Sequence, residues 1–200
     1  MADKYNHRVC VVDCDGKFVR SLGSFGAGDG QFNFPVDVAV DADRRIIVAD
    51  QNNHRVQILD TKGGFLGKFG TLGSASGQFR KPRGVAVDRD VGIVVCEYGN
   101  HRIQKFDRNG YALWAAGSHG ATPNQFMGPN GVAVDAEGRV VVTDTGNNRL
   151  SIFDLGGHLI RTVGLSGNEM NFLGPWAVTI DEIGRVLVTE DRAHRVQVLK

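Results

Sequence analysis

One short element recurs five times along this chain: Asn6-His7-Arg8, Asn53-His54-Arg55, Asn100-His101-Arg102, Asn147-Asn148-Arg149 and Ala193-His194-Arg195. Its arginines stand 47, 47, 47 and 46 residues apart. A fixed period of this size belongs to a solenoid, a propeller or an array, built of units too small to bury their apolar faces alone. The period also sorts residues by role. What recurs in every copy is scaffold, and function is to be sought where equivalent positions differ.

Each repeat divides into four strand-length runs, called here a to d. In the second copy they are Val36–Val40 closed by Asp41, Arg45–Ala49 closed by Asp50, Arg55–Leu59 closed by Asp60, and Phe65–Phe69 closed by Gly70. The runs are rich in β-branched residues and bounded by Asp, Asn and Gly. No window sustains a helical period. Four short strands in a repeat of this length make a propeller blade, so the expected fold is all-β, a β-propeller of four-stranded antiparallel blades. Turns such as Asp41-Ala42-Asp43 (a–b) and Asp107-Arg108-Asn109-Gly110 (c–d) have tight-turn chemistry. In the b–c turn, Asn tolerates the left-handed conformation.

The expected bounds are a partial blade at 1–23, blades at 24–70, 71–117 and 118–164, and a partial blade at 165–200. The joints are periodic too. Gly30-Gln31-Phe32, Gly77-Gln78-Phe79, Asn124-Gln125-Phe126 and Met170-Asn171-Phe172 precede Pro35, Pro82, Pro129 and Pro175. The one-residue shortening falls between Gly164 and Phe172, in a loop, where it flips no strand face. Ala2–Arg8 aligns with Ala49–Arg55, so the chain opens at the tail of a strand b and stops within a strand c. About four to five blades are present. A propeller closes its ring to remove edges, so the chain is expected to be a piece of a larger ring, with self-association as one route to closure.

Composition narrows the function classes. The formal net charge of +1 gives no global nucleic-acid signature, so any basic site is local. No apolar run has the length of a membrane span, and the first residues lack the apolar core of a secretory signal. Cys10, Cys14 and Cys96 are odd in number and outside the period. They form no disulfide framework and no zinc motif, and are read as reduced thiols of a cytoplasmic protein.

The recurring Asp-x-x-Asn-His-Arg-Val/Ile-Gln, Gly-Gln-Phe-x-x-Pro-x-Gly-Val-Ala-Val-Asp and Gly-x-Phe-Leu-x-x-Phe-Gly patterns resemble the NHL repeat family over essentially the whole chain. The density of near-consensus copies looks most like the C-terminal NHL domain of animal TRIM-NHL proteins. The resemblance implies a six-bladed ring. It further implies a recognition domain that binds RNA in some members and proteins in others, often downstream of a RING ubiquitin-ligase module. No RING or B-box cluster occurs in this sequence, so ligase activity would belong to sequence outside it.

Several tempting residues recur and read as scaffold. His7, His54, His101 and His194 sit once per blade, too far apart for the convergent ligands a zinc ion needs. Each repeat arginine follows an acid by five residues (Asp3, Asp50, Glu97, Asp144, Glu190), which predicts a bidentate structural ion pair. Phe32, Phe79, Phe126 and Phe172 read as packing between blades.

The blades disagree beside the repeat proline and just after the repeat acid. The d–a joints and b–c turns share one face of the disc, and there the variable positions offer Phe34, Arg80, Lys81, Arg83, Tyr98, Asn130, Trp176 and Arg192, with Gln51 and Asn52 adjacent. Exposed aromatics stack bases, Arg and Lys neutralise phosphates, and Arg or Asn reads base edges. The same mixture describes a protein-interaction hot spot. The bland alternative makes Trp176 and Phe34 plugs of the channel mouth. In RNA-binding members of the family the ligand lies on this face, and the carry-over by position reaches Phe34, Arg83, Tyr98 and Asn130. Asp37 departs from the family glycine and places a negative charge near the axis.

The expected function is therefore a non-enzymatic platform for short single-stranded RNA. The alternative is a protein or peptide ligand, as in substrate recognition by a TRIM-type ligase. No cofactor and no metal is expected. Related propellers include metal-dependent lactonases and a lyase, but the two histidines outside the repeat, His119 in a joint and His158 at a c–d hairpin, fall on opposite faces.

Overall fold

The computed structural model describes residues 1–90, 92–164 and 171–199. The strands of each repeat pair with their sequence neighbours, because tight turns leave no room for another order. The first sheet holds β1 (Ala2–Asp3), β2 (Arg8–Val12) and β3 (Phe18–Leu22). The second holds β4 (Pro35–Val40), β5 (Ile46–Asp50), β6 (Arg55–Leu59) and β7 (Phe65–Phe69). The third holds β8 (Pro82–Val87), β9 (Ile93–Glu97), β10 (Arg102–Phe106) and β11 (Ala112–Ala116). The fourth holds β12 (Pro129–Val134), β13 (Val140–Asp144), β14 (Arg149–Phe153) and β15 (Leu159–Val163), and the fifth β16 (Pro175–Ile180), β17 (Val186–Glu190) and β18 (Arg195–Leu199). This is a five-bladed, all-β propeller arrangement of antiparallel sheets, with four strands in the three central blades and three in the first and last.

Strand b extends one residue further than the sequence pattern suggests, because the repeat acid pairs in register with the repeat arginine, as Asp50 does with Arg55. Met170, at the start of the last joint, and most of the shortened interval before it lie outside the described residues.

The innermost strands β4, β8, β12 and β16 pack against one another around the axis. Their approach explains Gly84: a Cβ there would stand 2.5 Å from the Asn130 carbonyl oxygen of the next blade. In the second blade Asp37 takes that place. Its Oδ2 accepts the Val85 amide of β8 at 2.9 Å and its Oδ1 accepts the Val38 amide at 2.9 Å, so the carboxylate itself ties two inner strands together. Phe32, Phe79 and Phe126 are fully buried between blades, and Phe172 nearly so. Strands β5, β9 and β13 are buried along their whole length, whereas β17 is buried only at Val188 and Glu190.

The repeat arginine does more than pair with its acid. Arg149, 1% exposed, donates from Nε to Asp144 Oδ2 at 2.9 Å. Its Nη1 serves the Ala121 carbonyl and its Nη2 the Thr122 and Gln125 carbonyls, at 2.6–2.9 Å. Arg55 and Arg102 repeat the pattern. The central pairs are thus not bidentate, contrary to the sequence expectation. The second carboxylate oxygen is taken by a joint amide (Met127 N–H to Asp144 Oδ1, 2.7 Å), and the joint carbonyls take the rest of the fork, since otherwise they would be buried unsatisfied. In the last blade Arg195 does reach both oxygens of Glu190, at 2.7 and 3.5 Å.

The turn histidines hold the blades in register. His7, His54 and His101 each adopt the left-handed conformation at the end of the b–c turn. Each offers ring Nδ1 to an amide of the next joint: Phe34 at 3.1 Å, Lys81 at 3.1 Å and Gly128 at 3.0 Å. Asn148 makes the same contact through Oδ1 to the Gly174 amide at 2.9 Å. His101→Asn should therefore preserve stability, while His101→Ala should cost about 1 kcal/mol by stranding the Gly128 amide. Burial first, then the neighbouring His119, holds the His101 pKa below its ordinary 6.5. Protonation thus favours the unfolded chain: this contribution is intact above about pH 6.5 and is lost as pH falls from there through the lowered folded value. Thermal unfolding at pH 7.5 and 5.5 is the check, with a shallower pH dependence expected in His101→Asn.

Candidate functional site

The d–a joints and b–c turns meet on one face of the disc. Arg83 follows Pro82 at the start of β8 and lies at the centre of the variable residues on that face. Its guanidinium carbon lies 3.8 Å from the Tyr98 ring centroid and 5.3 Å from that of Trp176. Nη1 donates to Asn130 Oδ1 at 3.1 Å and Nε to Gln51 Oε1 at 3.3 Å. Four blades therefore converge on one side chain: Gln51 from the second, Tyr98 from the same blade as Arg83, Asn130 from the fourth and Trp176 from the fifth.

Arg83 is half-buried, and burial lowers its pKa from the ordinary arginine value; the guanidinium nonetheless stays charged. Among the described residues it meets no carboxylate, unlike Arg55, Arg102, Arg149 and Arg195. Tyr98 packs against Gly128, where a Cβ would stand 2.7 Å from the ring; any side chain at Gly128 would displace Tyr98. Asn130 is 4% exposed and its Nδ2 is buried with no partner among the described residues. Asn130, Arg83 and Asp37 share a small axial hollow of about 120 Å³. Burial raises the Asp37 carboxyl pKa to about 6, against the opposing pull of its bonds from Val85 and Val38.

A wider hollow of about 370 Å³ runs from Arg83 and Tyr98 past Met127 and Thr145 to Trp176 and Arg192. Tyr98 and Trp176 each expose 39% of their surface. Of the eight residues singled out from the sequence, Arg83, Tyr98, Asn130, Trp176 and Arg192 thus line connected hollows. Arg80 and Lys81 are exposed in the joint before Pro82. Neither makes an ion pair among the described residues, and their charges help depress the His54 pKa after the larger effect of burial. Lys81 keeps a left-handed backbone, φ 54°, a strained conformation for a residue with a side chain.

Phe34 belongs elsewhere. It too is left-handed, φ 58°, and its ring meets Tyr5 at 5.6 Å and His7 at 5.1 Å, with the Lys4 ammonium 5.7 Å away. This second aromatic cluster, 76% exposed at Tyr5, was missed because Tyr5 stands in a different repeat from Phe34. The one signal for it was an aromatic two residues after the repeat acid. The His119 ring lies 4.5 Å from that of His101, tilted by 60°, and His158 pairs with Asp154 at 3.0 Å. Among the described residues no group of three or more His, Cys, Asp or Glu side chains is placed to hold a metal ion, and no helix is long and apolar enough to cross a membrane. Cys10 is half-buried, Cys14 exposed and Cys96 buried, all as free thiols.

Comparison with known proteins adds three findings. The NHL repeat family model matches residues 32–59, 79–106 and 126–153. "RING finger protein nhl-1" of Caenorhabditis elegans is 51% identical over 47 residues, which is 24% of this chain and 5% of that protein. Among solved structures, a streptogramin B lyase superposes with TM-score 0.69 at 17% identity, covering 98% of this chain and 59% of that one. A gluconolactonase of Xanthomonas campestris superposes with TM-score 0.67 at 18% identity, covering 92% of this chain and 63% of that one. At such identity these structures share the fold, and the chain spans less than two thirds of either. The three matched segments each run from the buried joint phenylalanine to the end of strand c, so the likeness to NHL repeats covers strands a to c of the three central blades.

Proposed function

We propose that this propeller is a non-enzymatic recognition platform in the cytoplasm that binds short single-stranded RNA on the face of the joints and b–c turns. The observation that carries this reading is Arg83: a guanidinium without a carboxylate, stacked on Tyr98, beside Trp176 and fixed by two side-chain amides. Tyr98 and Trp176 offer stacking faces of the kind that hold bases at about 1–3 kcal/mol each. Arg83 offers base-edge donors, and Asn130, with an unused Nδ2 buried beneath it, holds the guanidinium in place. Arg80, Lys81 and Arg192 supply phosphate contacts around them, whereas Phe34 with Tyr5 lies off this path. Asp37 opposes a phosphate near the axis, so the strand's path runs over the third to fifth blades.

The second reading is a protein or peptide ligand on the same face, serving a ubiquitin ligase whose catalytic module lies in other sequence. It draws on the name of the nematode relative and on the hot-spot character of Trp, Tyr and Arg.

The test is selection from a randomised pool of short single-stranded RNA at two salt concentrations, with an Arg83→Ala/Tyr98→Ala double variant as control. Enrichment of one motif that the variant loses is the expected result. Binding without sequence preference, or enrichment that survives in the variant, would sink the RNA reading at this site and favour the protein ligand.

A further inference from the structure

The middle residue of strand d differs sharply from blade to blade: Arg20, Gly67, Trp114 and Arg161. Two of these side chains reach across to the c–d hairpin of the following blade. Arg20 donates to the Thr61 carbonyl, and Trp114 Nε1 donates to the Leu155 carbonyl at 2.8 Å. Gly67 has nothing to send. A Cβ built there would meet no atom within 4 Å, and its backbone is not in the left-handed region that would require glycine.

Part of the missing volume is made up two residues later. Phe69 packs on Gly110 of the next hairpin, with its ring 2.6 Å from where a Cβ would stand, as Trp114 packs on Gly157 one blade further on. Phe69 turns inward to Phe106, at 4.7 Å between centroids. The outer half of the space between the second and third blades is therefore left as a cleft of about 180 Å³, walled by Arg45, Ile58, Gly67, Lys68, Phe69 and Arg108.

Among the described residues three cations line this cleft and no carboxylate does; the acids that pair with them, Asp41, Asp29 and Asp43, are outside its lining. Arg45 spends Nε on Asp41 at 2.6 Å and Nη1 on the Arg108 carbonyl at 3.2 Å. Its Nη2 is buried with no partner among the described residues. A buried donor left without an acceptor is uncommon enough to call for one.

We propose that the cleft beside Gly67 binds a small single-ring aromatic carboxylate. The ring takes the place of the side chain that Gly67 lacks, against Phe69 and Ile58, and the carboxylate accepts from Arg45 Nη2. The size fits, since an apolar cavity of about 150 Å³ takes up one benzene molecule. The site is on the hairpin face, opposite Arg83, so it stands or falls independently of RNA binding.

Benzoate is the probe, titrated into the ¹⁵N-labelled chain and followed by NMR. The expected result is saturable shifts centred on the Gly67 and Asn109 amides, with a dissociation constant of about 1 mM, reasonable for so few heavy atoms. Neutral benzyl alcohol should bind about tenfold more weakly. Gly67→Trp and Gly67→Leu, which fill the cleft, should abolish the shifts without lowering the unfolding temperature. Absence of saturation, equal affinity for benzyl alcohol, shifts centred on the joint face, or binding that persists in a folded cleft-filled variant would each overturn the proposal.

Discussion

Replacing Asp144 by alanine is expected to destabilise the chain by about 3–5 kcal/mol, the cost of leaving a buried charge without its partner. Asp144 is fully buried and Arg149 nearly so. The carboxylate holds the Met127 amide, the Asn147 side chain at 2.7 Å and Arg149 Nε. Removal strands all three, and the guanidinium has no route to water because its other donors are committed to the joint carbonyls. For a domain of this size each kcal/mol shifts the unfolding temperature by about 2–4 °C, so a drop of about 6–20 °C is expected in calorimetry. Asp3→Ala is the internal control. Its pair with Arg8 has the same spacing at 2.9 Å, but the side chains are 27% and 40% exposed. That change should cost far less than the loss of Asp144, because water screens the exposed pair. Equal losses at the two sites would mean that burial is not what sets the energetics of the repeat pair.

The contrast between those two pairs also shows what could be read from the sequence. The acid–arginine spacing, the strand runs and the joint phenylalanines all repeat, and repetition by itself assigns them to one buried framework. The geometry of the pair could not be read that way. Nothing in the spacing from Asp144 to Arg149 says that the guanidinium fork is claimed by the Ala121, Thr122 and Gln125 carbonyls, because those partners lie in a joint 24–28 residues away.

The candidate site shows the same boundary. The periodic alignment picks out positions that share a face, and Arg83, Tyr98, Asn130, Trp176 and Arg192 line connected hollows there. Alignment cannot tell which way a side chain leans from its position. Phe34 is as close to its repeat proline as Lys81 is, yet its ring turns to Tyr5 and His7 of the preceding blade. Gln51 occupies the position equivalent to Tyr98, and only the three-dimensional arrangement makes it an anchor for Arg83. The Gly67 cleft was invisible for a related reason. A missing side chain leaves no motif, and its meaning depends on Trp114 and Arg20 filling the equivalent space elsewhere.

Arg83→Ala is expected to weaken binding of the selected RNA by about 10- to 100-fold, equivalent to about 1–3 kcal/mol for a guanidinium that reads a base edge. The loss should fall on one position of the motif: RNAs changed at that position should bind wild type and variant alike. Arg83→Lys separates the two roles the side chain can play. Lysine keeps the charge but has neither the planar fork that spans Gln51 and Asn130 nor a flat face for Tyr98. If Arg83 reads a base, lysine should rescue little. If it touches only phosphate, lysine should restore most of the affinity, and alanine should lower binding evenly across sequences while flattening the salt dependence. A peptide ligand predicts a third pattern, with weak salt dependence and the largest losses at Trp176→Ala and Tyr98→Ala. Thermal unfolding of each variant must accompany the titrations, because removing the guanidinium also leaves Asn130 Oδ1 without its donor. A variant that unfolds like wild type and loses RNA places Arg83 in contact with the ligand, whereas one that binds RNA like wild type at both salt concentrations removes Arg83 from the site.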